Sequence, residues 1–289
     1  LENIDPASFK FYTGLASKEE FAALYSLLEP NASKMKYWDC SDRKSSGINE
    51  RQLALIDEMF MVLYRLRTGT CSKEVARNFG VSEATVSRIF CTWVNFMDRQ
   101  LTDMNRFPTV QETREHMPES FRFFPDTRIV LDCTEVRIQK PSMLSAQRQT
   151  FSSYKHYNTF KALVGVTPDG YVSFLPDLWG GHVSDTEIVE TSGLLQLLQP
   201  GDCVMADKGF RLEALLPPGV KLYVPPFKRT PQFTPEQVNA TRKVASARIH
   251  VERVIRRIKE FHFFDKPIPI NMLDLASSLF RVCGFLCNF

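Results

Sequence analysis

The pattern of apolar positions changes part way along the chain. Up to about residue 101 they recur at helical spacing, and beyond about residue 127 they fall into short runs that end in turn residues. Phe21, Leu24, Tyr25 and Leu28 repeat at i, i+3, i+4, i+7 behind Ser17 and Glu20, the pair of a capping box. Leu53, Ile56, Phe60 and Leu63 line a second predicted helix, capped by Asn49 and stopping near Gly69, with a polar loop over 31–47 before it. From Ser72 to Trp93 the pattern is helix, turn, helix. Ala76 lets two helices cross closely, Gly80 permits the tight turn, Ser82 caps the second helix, and Val86 with Ile89 seats it. That register turns Ser82, Glu83, Ala84, Ser87 and Arg88 outward, where a recognition helix meets the major groove. A helical hairpin that only packs on its neighbours fits the same pattern equally well.

Pro108, Pro118 and Pro125 punctuate a stretch over 102–127 that reads as a linker with little regular structure. Strands follow. Arg128 to Leu131 is an apolar run ending at Asp132, Ala162 to Val166 and Tyr171 to Leu175 flank the turn Thr-Pro-Asp-Gly, and Cys203 to Ala206 runs into Asp207. Leu222 to Val224 supplies a fifth strand, and Ala245 to Phe261 is the clearest helix after it. The expected organisation is a helical region over 1–101, the linker over 102–127, and an α/β domain over 128–289. That domain has a mixed five-stranded sheet flanked by helices. Ligands in such sheets sit beyond the carboxyl ends of strands.

Composition narrows the class. The chain has 289 residues, 44% hydrophobic and 24% charged, which is ordinary for a soluble globular protein of about two domains. A net charge of +3 says little about nucleic acid, but its distribution says more. From Pro226 to His262 nine Lys or Arg face three Glu, a local excess of six positive charges. The seven cysteines show neither Cys-x-x-Cys nor zinc-finger spacing and read as reduced thiols, Cys283 and Cys287 as buried hydrophobes of an apolar helix. The tail from Asn271 to Phe289 carries Asp274 and Arg281, so a core helix is expected there and no membrane span. The first residue is Leu1, without Met, as in an excised fragment.

Three acidic residues stand in informative settings: Asp132 and Asp207 after apolar runs, and Glu252 within the basic helix. Each has an ordinary structural reading, the aspartates as turn or cap residues and Glu252 as the i±4 partner of Arg248 and Arg256. Together they suit a two-metal phosphodiester site, which needs hard oxygen ligands on rigid elements and cations for the polyanion. Glu135 and Asp185 are further carboxylates near these runs, Asp185 reading best as a turn residue before a helix. Trp179 reads better as a core residue than as a base-stacking one.

The words around these residues resemble a family. Phe11-Tyr12-Thr13-Gly14-Leu15, the helix-turn-helix segment, Val130-Leu131-Asp132-Cys133-Thr134-Glu135, Tyr154-Lys155-His156-Tyr157-Asn158-Thr159, Trp179-Gly180-Gly181-His182-Val183-Ser184-Asp185 and Ala247-Arg248-Ile249-His250-Val251-Glu252-Arg253 occur in order along nearly the whole chain. They are similar to the DDE transposases of the PIF/Harbinger superfamily, in the branch that often carries an N-terminal THAP zinc-finger domain. The resemblance implies an RNase H-like catalytic fold whose Asp132, Asp207 and Glu252 bind two Mg²⁺ or Mn²⁺ ions, with Glu135 and Asp185 as alternative ligands. It implies cleavage of transposon ends and their joining to target DNA. Lys155, His156, Lys161, Lys208, Arg248, Arg253, Arg256 and Arg257 then become phosphate contacts, beside Ser87 and Arg88 of the helix-turn-helix. A homodimer or larger assembly follows from the need to pair two ends, a nuclear location from the family's eukaryotic character, and a separate recognition domain or partner from the absence of a THAP-like Cys/His set. The alternative is a domesticated descendant that binds DNA or protein without cutting.

Overall fold

The computed structural model describes residues 4–39, 44–45, 51–225 and 235–289, without the side chains of 39, 44, 45 and 235–241. In chain order the elements are α1 (Pro6–Thr13), α2 (Lys18–Ala32), β1 (Trp38–Asp39), β2 (Lys44–Ser45), α3 (Leu55–Thr68), α4 (Ser72–Phe79), α5 (Glu83–Met104) and α6 (Val110–Glu115). Then come β3 (Thr127–Arg137), α7 (Leu144–Thr150), β4 (Phe151–Ser152), β5 (Tyr157–Val166), β6 (Val172–Phe174) and β7 (Trp179–Gly180). The chain ends with α8 (Asp185–Thr191), β8 (Cys203–Met205), β9 (Lys221–Tyr223), α9 (Pro235–Lys259) and α10 (Ala276–Leu286). Two compact units form: 1–104 with 137–141 and 257–289, and 105–136 with 142–256.

The first unit is helical. Ser17 caps α2 by accepting from the Glu20 amide, while Glu20 closes back on the Ala16 amide. Helix α3 begins at Leu55 behind Ala54, so Leu53 lies outside it, and Asn49 falls outside the described residues. Gly69 ends it in the left-handed conformation, φ 65°. Helices α4 and α5 realise the predicted helix-turn-helix: Gly80 takes φ 66°, the Ser82 hydroxyl accepts from the Thr85 amide at 3.1 Å, and Val86 and Ile89 are fully buried. Ser82, Glu83, Ala84 and Ser87 are exposed and Arg88 half-buried. Helix α10 packs here too, its Arg281 and Ser278 donating to Asp98 at 2.7 Å each. At the centre Glu58 accepts from Tyr37, Trp93 and Arg51, three donors that neutralise and satisfy a wholly buried carboxylate.

One expectation in this unit changes. Cys91 is disulfide-bonded, whereas Cys71, Cys133, Cys203, Cys283 and Cys287 are free thiols. On the buried face of α5 beside Cys91, Thr92 accepts from the Trp38 amide of β1 at 2.8 Å. Cys283 and Cys287 are buried as expected, and burial pushes the Cys287 thiol up to about 12.

The second unit is α/β. Its sheet runs β4-β5-β3-β8-β9, with β6 and β7 also pairing with β5. Strand β3 is parallel to β8 and β8 to β9, while β4, β6 and β7 run antiparallel to β5. The five predicted strands are present, but the sheet has seven, because the two-residue strands β4 and β7 leave no periodic signal. The Thr167-Pro168-Asp169-Gly170 turn joins β5 to β6, closed by Gly170 donating to Thr167 and Thr167 to Tyr171. Ile129, Leu131, Leu163, Ile188, Val204 and Phe210 form the core under the sheet, and Trp179 packs against it. The mixed sheet with flanking helices is RNase H-like. The 102–127 stretch holds α6, started by a full capping box between Thr109 and Glu112, where prolines alone suggested irregular chain. No described helix is long and apolar enough to cross a membrane.

Candidate active site

Asp132 does not end a strand. It is the sixth of eleven residues of β3, because Cys133 to Arg137 continue in the extended, alternately buried pattern of the sheet. Asp207 lies just past β8, which runs parallel beside β3, so the two aspartates come from adjacent strands. Glu252 is carried by α9, whose Ala247, Arg248, Val251, Val254 and Ile258 form its buried stripe.

Arg248 joins these elements. Its guanidinium lies 3.2 Å from Asp207 and 3.6 Å from Asp132, and the residue is only 9% exposed. Both contacts are between opposite charges, and the low exposure limits screening by water. Burial pushes the Asp132 carboxyl up to about 6, opposed by Arg248 and by the Cys133 amide, with the charges of Asp207 and Glu252 adding to the rise. Glu252 itself is exposed, one turn along α9 from Arg248. Among the described residues no three His, Cys, Asp or Glu side chains are drawn into a ready-made metal cage; the cation at the aspartates is the guanidinium.

The secondary candidates have partners of their own. Glu135 accepts from Ser152 at 3.0 Å and Thr159 at 2.7 Å. Asp185 opens α8 behind its Ser184 cap, as its turn reading expected, and pairs with Lys161 at 2.9 Å. Lys161 donates to the Val183 carbonyl as well. The Arg211 amide donates to Thr186, so the start of α8 adjoins the loop after Asp207. Gly180 and Gly181 have a packing reason: a Cβ at Gly181 would fall 2.1 Å from the Thr159 hydroxyl, and one at Gly180 2.3 Å from the Gln149 carbonyl. Lys155 and His156 are exposed, His156 at φ 61°, and Lys208 is half-buried. Arg253, Arg256 and Arg257 are exposed. Of the α9 cations expected on phosphate, Arg248 alone is turned into the carboxylates, a placement signalled by its falling on the apolar stripe.

Comparison with known proteins gives the site its family. No solved structure matches the chain. It is similar to Protein ALP1-like of Arabidopsis thaliana, 24% identical over 166 residues, which cover 56% of this chain and 40% of that protein. The chain thus spans less than half the length of that relative. Residues 51–103 match the helix-turn-helix of DDE superfamily endonucleases. Residues 131–288, more than half of the chain and including all three acids, match the DDE superfamily endonuclease model, and the chain belongs to that family.

Proposed function

We propose that this chain is a transposase of the PIF/Harbinger kind that cuts DNA at transposon ends and joins those ends to target DNA, with Asp132, Asp207 and Glu252 as its catalytic carboxylates. The supporting observation is that Asp132 and Asp207 meet on one guanidinium, with the Glu252 charge felt at Asp132. This donor set suits a hard divalent cation: it is anionic, built of oxygen, and already holds positive charge. Asp132, Asp207 and Glu252 would together hold two Mg²⁺ or Mn²⁺ ions. Ions held there would activate water or a DNA 3′-hydroxyl and stabilise the leaving oxygen.

The chain's own residues do the rest. Arg248 must release at least one aspartate for the carboxylates to turn to metal, and a backbone phosphate is the replacement partner its guanidinium fits best. Lys208, Arg253, Arg256 and Arg257 hold the backbone near the site. Lys155 and His156, just ahead of β5, and Lys161, within it, grip the backbone, and Glu135 and Asp185 stand in reserve as ligands. Ser87 and Arg88 on α5 meet a DNA groove. A homodimer or larger assembly pairs two ends in the nucleus, and a separate recognition domain or partner supplies end specificity. A second reading is a DNA-binding module that no longer cuts. It is favoured by the Arg248 pairing, in which one guanidinium occupies two of the three acids without metal.

Manganese titration calorimetry and duplex nicking, on wild type and Asp207→Asn, separate the two readings. The endonuclease reading expects Mn²⁺ binding and metal-dependent nicking in wild type, both lost in the variant with its fold intact. Duplex binding with neither Mn²⁺ uptake nor nicking in wild type overturns it and leaves the second.

A further inference from the structure

Arg65, in the last turn of α3, is 8% exposed, yet its side chain has no hydrogen bond and no ion pair among the described residues. The Phe90 ring lies 4.2 Å from the guanidinium, and Phe90 in turn stacks on Phe263 at 5.6 Å. A guanidinium carries five N–H donors, and a face contact with an aromatic ring leaves them all unused. Burying a full charge in that state is expensive, and natural proteins tolerate it where something else supplies the counter-charge. Burial of the guanidinium lowers its pKa to about 10, which still leaves it charged at neutral pH.

The donors have somewhere to go. Arg65 lines a recess of about 460 Å³ together with Thr70, Ser72, Phe263 and Lys266, and no Asp or Glu contributes to its wall. Helix α4 starts at this wall. Its N-cap, Cys71, makes no side-chain cap, and the amides of Ser72 and Lys73 have no acceptor among the described residues. Free first-turn amides and the positive end of the helix dipole add to the cationic character of Arg65 and Lys266. Gly69 makes the recess possible: a Cβ there would lie 2.5 Å from the His262 carbonyl, so only glycine lets the α3–α4 turn close against the segment that carries Phe263 and Lys266.

We propose that this recess is a binding site for a phosphate group, its oxygens taken by the Arg65 guanidinium, the Lys266 ammonium and the first amides of α4. A planar fork, a point charge and helix amides together match a multiply charged tetrahedral anion better than a lone carboxylate. Phe263, Pro267, Pro269 and Met272 give the remaining wall an apolar face, so there is room for an organic body and a phosphate ester fits the whole space. The phosphate comes either from a soluble phosphoester or from the backbone of DNA bound by the helix-turn-helix. The site does not depend on the catalytic carboxylates.

Thermal unfolding of the full chain without divalent metal, in inorganic phosphate and in chloride at equal ionic strength, is the test. Wild type should gain about 3 °C once phosphate exceeds its Kd roughly tenfold. Arg65→Met should gain nothing while unfolding in chloride at or above the wild-type temperature, and Asp207→Asn should keep the full gain. Should Arg65→Met fail to fold, Lys266→Ser, at an exposed position, should raise the phosphate concentration needed several-fold. No gain in wild type, or an equal gain in Arg65→Met or Lys266→Ser, overturns the proposal. Phosphate titrated against a labelled duplex then assigns the source. Displacement in wild type but not in Arg65→Met marks a DNA phosphate, and bound duplex left undisturbed marks a soluble ester.

Discussion

Arg248 and Arg65 are almost equally buried, at 9% and 8% exposure, and their surroundings could hardly differ more. Arg248, on α9 of the α/β unit, lies against two aspartates and offsets part of their charge. Arg65, on α3 of the helical unit, lies on an aromatic ring and offers its donors to an acid-free recess. The first is a cation that guards an anionic site, and the second is a cation that waits for an anion. Burial alone therefore says nothing about the role of a charged side chain; the identity of its partners does.

Glu58 sharpens the contrast, since it sits on α3 two turns before Arg65 and is wholly buried with every oxygen engaged. Glu58→Ala would strand Arg51, Tyr37 and Trp93, and should cost about 3–5 kcal/mol, seen as a fall in melting temperature on the order of 10 °C. A fall of only one or two degrees would mean that partnering matters less to buried charge here than the comparison holds.

At the other arginine the largest effect is on chemistry. Asp207→Asn removes one carboxylate oxygen charge from a side chain that is half exposed, so stability should hardly move. Metal-dependent nicking should fall by about a hundredfold or more. Nicking that survives within tenfold would take Asp207 out of the catalytic set.

How much of this could be read from the sequence differs between the two sites for a physical reason. The acids are legible because each follows an apolar run or sits in a basic helix, although the strand that carries Asp132 extends five residues beyond it. The alternation Thr134, Val136 that carries β3 on to Arg137 was there to be read. The arginines were not separable by type. Arg248, Arg253, Arg256 and Arg257 look alike in a basic helix, and only the stripe of Ala247, Val251 and Ile258 marks Arg248 as inward. Arg65 falls seven residues after Glu58 on the buried stripe of α3, a signal of inwardness. Much of the recess it faces is built by residues about 200 positions further on, which no local pattern reports. In the same way the Thr109–Glu112 capping box was present but hidden among prolines that argued for loop.

Arg248→Met asks whether the guard excludes metal. If the guanidinium competes with a divalent ion for the aspartates, its removal should tighten Mn²⁺ binding about tenfold, or 1.4 kcal/mol, by calorimetry. Weaker binding instead would make Arg248 the residue that holds the carboxylates in position.

The smallest expected effect carries the comparison furthest. In phosphate-free buffer Arg65→Met removes a buried charge with no hydrogen-bonding partner among the described residues and puts a flexible apolar chain of similar length in its place. The contact with Phe90 loses its cation–π component, about 0.5–2 kcal/mol, but methionine sulfur against the same ring returns part of it. Against this stands relief from desolvating the guanidinium, a penalty of several kcal/mol for a wholly dry ion and less where a recess admits water. The balance is a stabilisation of about 1 kcal/mol by denaturant unfolding, a sign opposite to that of most buried substitutions. A loss of more than 1 kcal/mol would show that the guanidinium is satisfied in the folded chain, and the distinction between the two arginines would then collapse into one of partner type alone.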